Sequence, residues 1–320
     1  MKSPHKLLFL FLMGSSTLMV LSSSNWLMMW MGLEINMLGF IPLMYLKETA
    51  NESETAVKYL IPQSLGSTIF IASTTVSFHI DNMQLLMPMA MCLKLGAAPF
   101  HFWFPPVMAN LPLLPAFTLL TWQKIAPIFA ISALNPALMT KIALIASISA
   151  LWGGIGGMNQ TDIRSLLTYS SIAHTGWMLA SINSTAPVLT VYIMTYILIN
   201  LSIYTTLNST YTKSHKQLFS SKEPYNSLLL AASILSLGGL PPLTGFIMKL
   251  LVINHTQTSL LIISTLILGA LISLFYYLSL TFSPLLELTK THLNKSHISK
   301  SSTMFFLAQT LPLSALMFLF

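Results

Sequence analysis

Apolar runs of about 20 residues recur along the whole chain, with only short polar breaks between them. An α-helix of about this length crosses the hydrocarbon core of a bilayer, because each residue adds about 1.5 Å along the helix axis. Only 7% of the residues are charged and the mean hydropathy is +0.73, whereas about 25% are charged in ordinary soluble domains. The sequence therefore predicts a single all-α polytopic membrane domain over residues 1–320 instead of two soluble domains.

Breaks at polar, proline and glycine clusters divide the chain into eleven candidate transmembrane helices. The predicted spans are 7–23, 25–46, 56–78, 83–104, 113–133, 138–158, 163–182, 187–208, 226–253, 259–283 and 303–320. An odd number of spans places the two termini on opposite sides. Eleven of the fifteen Lys and Arg residues fall on the N-terminal side, Lys141 falls on the other, and three lie inside spans. By the positive-inside rule the N-terminus faces the inner compartment and the C-terminus faces outward.

Two of the predicted spans contain helix-breaking residues at mid-membrane depth. These residues are Gly96 and Pro99 in span 83–104, and Gly238, Gly239, Pro241 and Pro242 in span 226–253. Proline lacks a backbone N–H and clashes with the preceding turn, so both helices are expected to unwind or kink and to leave carbonyl groups that need partners. An alternative is that these prolines only adjust helix packing, since Gly and Pro are ordinary in membrane helices.

The breaks fall in the fourth and ninth spans, five spans apart. Because five is odd, a tandem five-helix unit must insert the second time upside down, and paired broken helices are typical of transporters built from inverted repeats. The predicted repeats cover about 7–133 and about 138–283, with 303–320 as an appended C-terminal helix.

Four ionisable residues, Glu34, Lys94, Lys124 and Lys249, lie near the middle of separate apolar runs. A charge at the centre of a membrane helix costs about 2.5 to 3.5 kcal/mol on insertion scales, so such residues usually face the bundle interior and carry function. Lys94 is the predicted partner of Glu34, and Lys124 lies too deep to reach a headgroup. These residues predict an ion path, while a structural salt bridge and passive interhelical contacts are the alternatives.

His174 also lies mid-span and corresponds to Glu34 by the five-helix offset. Histidine titrates near neutral pH, so His174 suits a proton relay between Lys124 and Lys249. A membrane histidine can equally serve as a hydrogen-bonding packing residue. His101, next to Trp103 near a span end, is interpreted as interfacial.

Several classes of chemistry are disfavoured by the residues present. Cys92 is the single cysteine, so an intrachain disulfide, a CxxC motif and a cysteine cage for zinc or an iron–sulfur cluster are excluded. No Walker loop, GxGxxG, HExxH or nucleophile elbow occurs, and we expect no catalytic residue, metal site or cofactor site in this chain. The net charge of +7 is spread over loops on one face, which does not indicate nucleic-acid binding.

Four runs of residues carry a family resemblance. They are Lys94-Leu-Gly-Ala-Ala-Pro-Phe-His-Phe-Trp, Asn159-Gln-Thr-Asp-Ile-Arg, Tyr169-Ser-Ser-Ile-Ala-His-Thr-Gly-Trp-Met, and Leu237-Gly-Gly-Leu-Pro-Pro-Leu-Thr-Gly-Phe followed by Lys249. They closely resemble the chain 2 family of NADH-ubiquinone oxidoreductase, the antiporter-like membrane subunits of respiratory complex I. The resemblance covers essentially the whole chain and fits the animal mitochondrial form, which looks like the bacterial subunit without its first three helices.

The resemblance implies a proton-translocating module made of two inverted five-helix repeats. It implies that Glu34 and Lys94 form a switchable ion pair, that Lys124 passes protons laterally, that His174 stands between them and that Lys249 takes the terminal position. The implied function is proton translocation across the mitochondrial inner membrane, coupled to electron transfer from NADH to ubiquinone. The N-terminus is then in the matrix and the C-terminus in the intermembrane space.

The resemblance also implies partners and places the redox groups elsewhere. FMN, iron–sulfur clusters and ubiquinone are expected in other subunits of the complex. The expected partners are the membrane-arm subunits chain 4 and chain 4L, accessory subunits, and phospholipid including cardiolipin. Two other functions stay open at this point: a stand-alone cation/proton antiporter, and a scaffold whose ionic residues only lock helices together.

Overall fold

The computed structural model describes residues 4–45, 50–77, 85–134, 138–210, 224–241, 243–256 and 259–288. These residues form helices joined by turns, in agreement with the predicted all-α class. Among the described residues, five helical segments are long and apolar enough to cross a membrane, namely Trp26–Met44, Leu113–Ser132, Met139–Gly157, Ala186–Asn208 and Leu260–Phe282. The chain forms two compact units, and the boundary between Ile145 and Ala146 falls within one helix.

The first unit contains the helices that correspond to the first five predicted spans. They are α1 (Pro4–Ser22), α2 (Trp26–Met44), α3 (Ala50–Ser77), α4 (Leu86–Leu95), α5 (Phe104–Asn110), α6 (Leu113–Leu120) and α7 (Trp122–Ser132), and α8 (Met139–Gly157) crosses the boundary. Helices α4 and α5 are the two halves of the predicted span 83–104. The interruption predicted there is therefore observed.

The second unit contains the remaining described helices. They are α9 (Ile163–Ser181), α10 (Ala186–Thr210), α11 (Pro224–Gly238), α12 (Thr244–His255) and α13 (Leu260–Leu288). Helices α11 and α12 are the two halves of the predicted span 226–253, which is also interrupted as expected. The predicted helix 303–320 lies outside the described residues.

Small residues allow helices in each unit to approach closely. A Cβ atom on Gly32 of α2 would lie 2.6 Å from Cγ2 of Val20 on α1, so a larger residue there would force the Val20 side chain to move. In the second unit a Cβ atom on Gly269 would lie 2.6 Å from the carbonyl oxygen of Ala150. Lipid tails are as apolar as leucine, so membrane helices associate through close packing of this kind.

Large apolar side chains cover outward faces of several helices. Leu7, Phe11 and Leu18 are exposed on α1, and Leu260 and Phe275 are exposed on α13. Polar side chains on the buried faces commonly donate to a carbonyl one turn earlier, as the Ser171 hydroxyl does to the carbonyl of Thr168. This distribution suits a chain surrounded by lipid, because hydrocarbon leaves polar groups no partner outside the protein.

A third interruption separates α6 from α7 within the predicted span 113–133. The Thr121 hydroxyl donates to the Phe117 carbonyl at 2.7 Å, and the Lys124 amide donates to the Thr121 carbonyl at 3.3 Å in a tighter turn. The interruption falls at Thr121, whose φ of −113° and ψ of −70° depart from helical values. This interruption was not predicted, and it places Lys124 in the first turn of α7.

Candidate functional site

The first break begins where α4 ends at Leu95. Gly96 follows with a φ of 67°, in the left-handed region that glycine adopts without a steric penalty. The amides of Gly96 and Ala97 donate to the carbonyls of Leu93 and Cys92, at 3.2 Å and 3.0 Å. Pro99 lies in the turn that leads on to α5. The residues predicted to break this helix are therefore located at the break.

Two side chains supply donors to the carbonyls that the break frees. The Trp103 indole Nε1 donates to the Leu93 carbonyl at 3.1 Å, and the Gln63 amide Nε2 donates to the Lys94 carbonyl at 3.0 Å. Both donors are neutral, and the bond from Gln63 is buried. Because neutral donors satisfy these carbonyls, the Lys94 amine does not have to cap its own helix.

Lys94 is buried, with 5% of its surface exposed. Its aliphatic stem lies against Gly66 of α3, where a Cβ atom would come within 2.8 Å of Lys94 Cγ and 3.4 Å of Lys94 Cε. Gly66 therefore provides the space that the stem occupies. The lysine lies in the last turn of α4, where the helix dipole favours a cation.

Lys94 and Lys124 line one cavity in the first unit. Lys124 is 4% exposed, and its Nζ atom lies 5.8 Å from the centroid of the Phe104 ring. The polar part of the lining comes from Asn36, Tyr59, Gln63 and Gln123. Gln123 Nε2 donates to Asn36 Oδ1 at 2.9 Å. The cavity volume of about 20 Å³ is enough for one water molecule. Two buried lysines therefore line one small chamber together with polar side chains.

Glu34 lies on α2 and is half-buried. Its Oε1 atom is buried without a hydrogen-bond partner among the described residues. No direct ion pair joins Glu34 to Lys94 in this part of the chain, although the carboxylate is close enough for its charge to act on the Lys94 amine. Glu34 is also absent from the lining of the cavity that Lys94 and Lys124 share. The structure thus shows the acid near its predicted partner but separated from it.

The second break begins at the end of α11. Gly239 has a φ of 83°, and its amide donates to the carbonyls of Leu235 and Ser236 at 3.2 Å and 3.1 Å. Gly238 is the last residue of α11 and Pro241 lies in the following turn. Pro242 lies outside the described residues. Both breaks therefore start from a left-handed glycine that closes the first half-helix.

Lys249 reaches back from α12 to the end of α11. Its Nζ atom donates to the carbonyls of Leu237 and Gly238 at 3.1 Å and 2.8 Å, and only 8% of the residue is exposed. The amine also borders a cavity of about 200 Å³ with a mostly apolar lining that includes Trp177 and Phe246. At this break the lysine itself caps the freed carbonyls, whereas neutral side chains do so at the first break.

His174 is buried in the second unit, with 2% of its surface exposed. Its Nδ1 atom is 2.8 Å from the Tyr192 hydroxyl, and its ring centroid is 5.1 Å from that of Tyr196. The tyrosines were missed by the sequence reasoning, which considered only charged and histidine side chains within the spans. Since tyrosine is also common as an apolar packing residue, no local signal marked them.

The structure gives positions for the predicted site residues, whereas their roles in proton transfer stay predictions. In the first unit it joins Lys94 and Lys124 in one cavity, and in the second it places Lys249 on the break. His101, interpreted as interfacial, is buried and stacks on Phe102 with ring centroids 4.5 Å apart. Within the described ranges, no three His, Cys, Asp or Glu side chains come together as a metal site.

Comparisons with known proteins identify relatives. The family described as "NADH:quinone oxidoreductase/Mrp antiporter, TM" matches residues 23–85 and 75–273. A protein from Nandinia binotata named NADH-ubiquinone oxidoreductase chain 2 is 38% identical over 307 residues, which cover 90% of this chain and 88% of that protein.

Two solved structures show a similar fold. A chain of respiratory complex I from Thermus thermophilus with bound aureothin matches with a TM-score of 0.82 and 22% identity, covering 99% of this chain and 78% of that one. A chain of the Mrp complex from Dietzia sp. DQ12-45-1b matches with a TM-score of 0.70 and 16% identity, covering 92% and 61%. At these identities the likeness establishes the fold.

Proposed function

The chain belongs to the NADH:quinone oxidoreductase/Mrp antiporter membrane family, and from that premise we propose that it is a core membrane subunit of respiratory complex I that contributes to proton translocation. The translocation is coupled to electron transfer from NADH to ubiquinone across the mitochondrial inner membrane. The relative of 38% identity, which is named as a complex I chain, supports the assignment to this complex.

The observation that carries the proposal is the cavity that Lys94 and Lys124 share. A buried ammonium group is costly in the membrane and like charges repel, so two lysines that line one chamber favour states in which at least one amine is neutral. Asn36, Gln63 and Gln123 line the same cavity, and their side-chain amides both donate and accept hydrogen bonds. A proton can therefore reside on either amine while the surrounding amides adjust.

Glu34 acts as the gate in this proposal. The structure corresponds to a state in which the carboxylate is not paired with Lys94. We assign the paired state to the other half of the cycle, when quinone reduction elsewhere in the complex disturbs the charges along the membrane arm. Pairing would hold the proton on Lys94, and opening would release it towards Lys124.

Lys249 and His174 carry the second half of the path. Lys124 passes protons on towards His174, and Lys249 takes the terminal position at the second break. The left-handed glycines show that the two breaks are built alike, which supports two repeats of one unit. The proposed arrangement has eleven spans, with two inverted five-helix repeats, because the breaks are five spans apart. The N-terminus then faces the matrix and the C-terminus the intermembrane space.

The proposed partners are chains 4 and 4L, accessory subunits and cardiolipin. FMN, iron–sulfur clusters and ubiquinone belong to other subunits of the complex.

The experiment that tests the proposal replaces Lys94 by Met in the intact complex. Methionine keeps most of the stem against Gly66 but removes the amine. We expect fewer protons pumped per electron in reconstituted vesicles, with unchanged electron transfer from NADH to ferricyanide. Lys58→Met is the matched control, because Lys58 is 41% exposed and pairs with Glu54 one turn away. An unchanged ratio in the Lys94 variant would rule out its role in translocation and favour the scaffold.

A stand-alone cation/proton antiporter is the second candidate, because the family that matches this chain is described as including Mrp antiporters. The purified chain alone in vesicles distinguishes the two. Exchange of sodium for protons without other subunits supports the antiporter, and its absence supports action within the complex.

A further inference from the structure

Gln123 joins the helix that carries Lys124 to the helix that carries Glu34. It is the second residue of α7 and directly precedes Lys124. Its side-chain Nε2 donates to Asn36 Oδ1 on α2 at 2.9 Å. Asn36 is 3% exposed and comes two residues after Glu34 in the sequence. A hydrogen bond between two side-chain amides therefore links α2 to α7.

The Gln123 amide is also held from two further helices of the first unit. The Tyr59 hydroxyl on α3 donates to Gln123 Oε1 in a long bond of 3.4 Å, and Gln123 Nε2 is 3.4 Å from the sulfur of Met13 on α1. The Tyr59 ring packs edge-to-face against Phe40 and Trp103, with ring centroids 5.1 Å and 5.8 Å apart. Contacts from three helices thus define where the Gln123 amide lies.

The backbone beside Gln123 is interrupted. Thr121, with a φ of −113° and a ψ of −70°, separates α6 from α7. The Lys124 amide donates to the carbonyl of Thr121, three residues earlier, at 3.3 Å. A tight turn of this kind within a longer helical span often marks a hinge. The Thr121 hinge, residues 121–124, therefore contains both Gln123 and Lys124.

Asn36 and Glu34 lie on different sides of α2. Residues two apart in an α-helix are about 200° apart around its axis. Asn36 lines the cavity together with Lys94 and Lys124, whereas Glu34 does not. A movement of α2 that brings Glu34 towards Lys94 therefore carries Asn36 with it, and the hydrogen bond to Gln123 passes that movement to α7.

We propose that Gln123 is a positioning residue that couples the movement of α2 to the position of Lys124. When Glu34 changes partner, α2 shifts, and the hydrogen bond from Gln123 to Asn36 draws the Thr121 hinge with it. No proton passes through Gln123, because its amide neither gains nor loses one. This inference rests on the proposed function, since the movement is that of the Glu34 gate.

The lengths of the two amide side chains distinguish positioning from packing. Gln123→Asn shortens the side chain by one methylene group and withdraws the amide from Asn36. Asn36→Gln lengthens the partner by one methylene group, so the double variant restores the combined length of the pair. A loss that the second change reverses shows that the two residues act together. Packing or the contact with Tyr59 alone predicts no such recovery.

The test measures proton pumping by these variants in the intact complex. We expect Gln123→Asn to lower the number of protons pumped per electron, with normal assembly and unchanged electron transfer from NADH to ferricyanide, and the double variant to recover pumping. Gln160→Asn is the matched control, because Gln160 Nε2 donates to the Gly156 carbonyl only four residues earlier. Normal pumping in Gln123→Asn, or no recovery in the double variant, would overturn the inference.

The outcomes separate the positioning role from the proposed function. Reduced pumping in Lys94→Met with normal pumping in Gln123→Asn removes the positioning role and keeps the function. Normal pumping in both variants removes both.

A second measurement needs no variant. Hydrogen–deuterium exchange of the unmodified complex, compared at rest and during turnover, should change together in peptides covering residues 33–37 and residues 120–125. The two segments lie on different helices, so a joint change is expected when the hydrogen bond couples them. Exchange in residues 120–125 that does not change during turnover would overturn the inference.

Discussion

Replacing Gly239 by Ala tests how the second break is held. Gly239 has a φ of 83°, a conformation that alanine adopts only with strain. A Cβ atom there would lie 3.2 Å from both Cδ and Nζ of Lys249, while that Nζ donates to the carbonyls of Leu237 and Gly238. One added carbon therefore strains the backbone and presses on the capping amine.

The expected loss in stability of the closed second break has two parts. A left-handed alanine costs about 1 to 2 kcal/mol, and losing one hydrogen bond from a charged group costs about 1.5 to 3 kcal/mol. If the amine gives up one carbonyl, the total is about 2.5 to 5 kcal/mol. Since each 1.4 kcal/mol is a tenfold change in an equilibrium constant, the break should open at least roughly 60-fold more often. Strain alone gives about 5- to 30-fold.

Hydrogen–deuterium exchange of the intact complex, followed by mass spectrometry of peptides that cover residues 235–246, measures this opening. We expect exchange in these peptides to accelerate at least roughly 60-fold in Gly239→Ala. Gly14→Ala is the control, because no atom lies within 4 Å of where its Cβ would be, and it should leave these peptides unchanged.

A double-mutant cycle then isolates the contribution of the amine. In a Lys249→Met background, Gly239→Ala should accelerate exchange in these peptides only by the 5- to 30-fold that backbone strain alone gives, within about a factor of two. Equal acceleration in both backgrounds would show that the Lys249 amine does not hold the break closed, and would refute the reasoning.

Further predictions concern the first break and the cavity beside it. Gln63→Leu removes the side-chain donor from the buried Lys94 carbonyl, which should destabilise the first break by about 1 to 3 kcal/mol. Hydrogen–deuterium exchange should then accelerate in peptides covering residues 92–98. Unchanged exchange would mean that another donor replaces Gln63. Gly66→Ala places a Cβ 2.8 Å from Lys94 Cγ and should shift the stem. We expect lower proton pumping per electron with normal NADH–ferricyanide activity, and normal pumping would show that the stem position is not critical.

Much of the helical organisation could be predicted from the sequence. Helices or pairs of half-helices are observed at each predicted span from 7–23 to 259–283, because the bilayer requires apolar runs of nearly fixed length. The two breaks were predicted because proline and glycine act through their own backbone geometry. The interruption at Thr121 was missed, since neither proline nor glycine stands there and the same hydroxyl contact to the preceding turn occurs within an unbroken helix.

The candidate site was only partly predictable. The cost of a charge in hydrocarbon marked Lys94, Lys124 and Lys249 as interior residues, and all three are buried. Their partners were not predictable in the same way. Gln63 caps the first break from another helix, and Tyr192 binds His174 from 18 residues away.

The amino-acid sequence by itself determined the membrane class, the approximate positions of the helices, the two breaks and the burial of the lysines, because each depends on how single residues interact with lipid or with their own backbone. The packing of helices decided that Lys94 and Lys124 line one cavity, that Lys249 caps the carbonyls of Leu237 and Gly238, and that Tyr192 and Tyr196 contact His174. These contacts join helices that are separate in the sequence. The patterns of hydropathy and of helix-breaking residues along the chain carry no information about which helix faces meet.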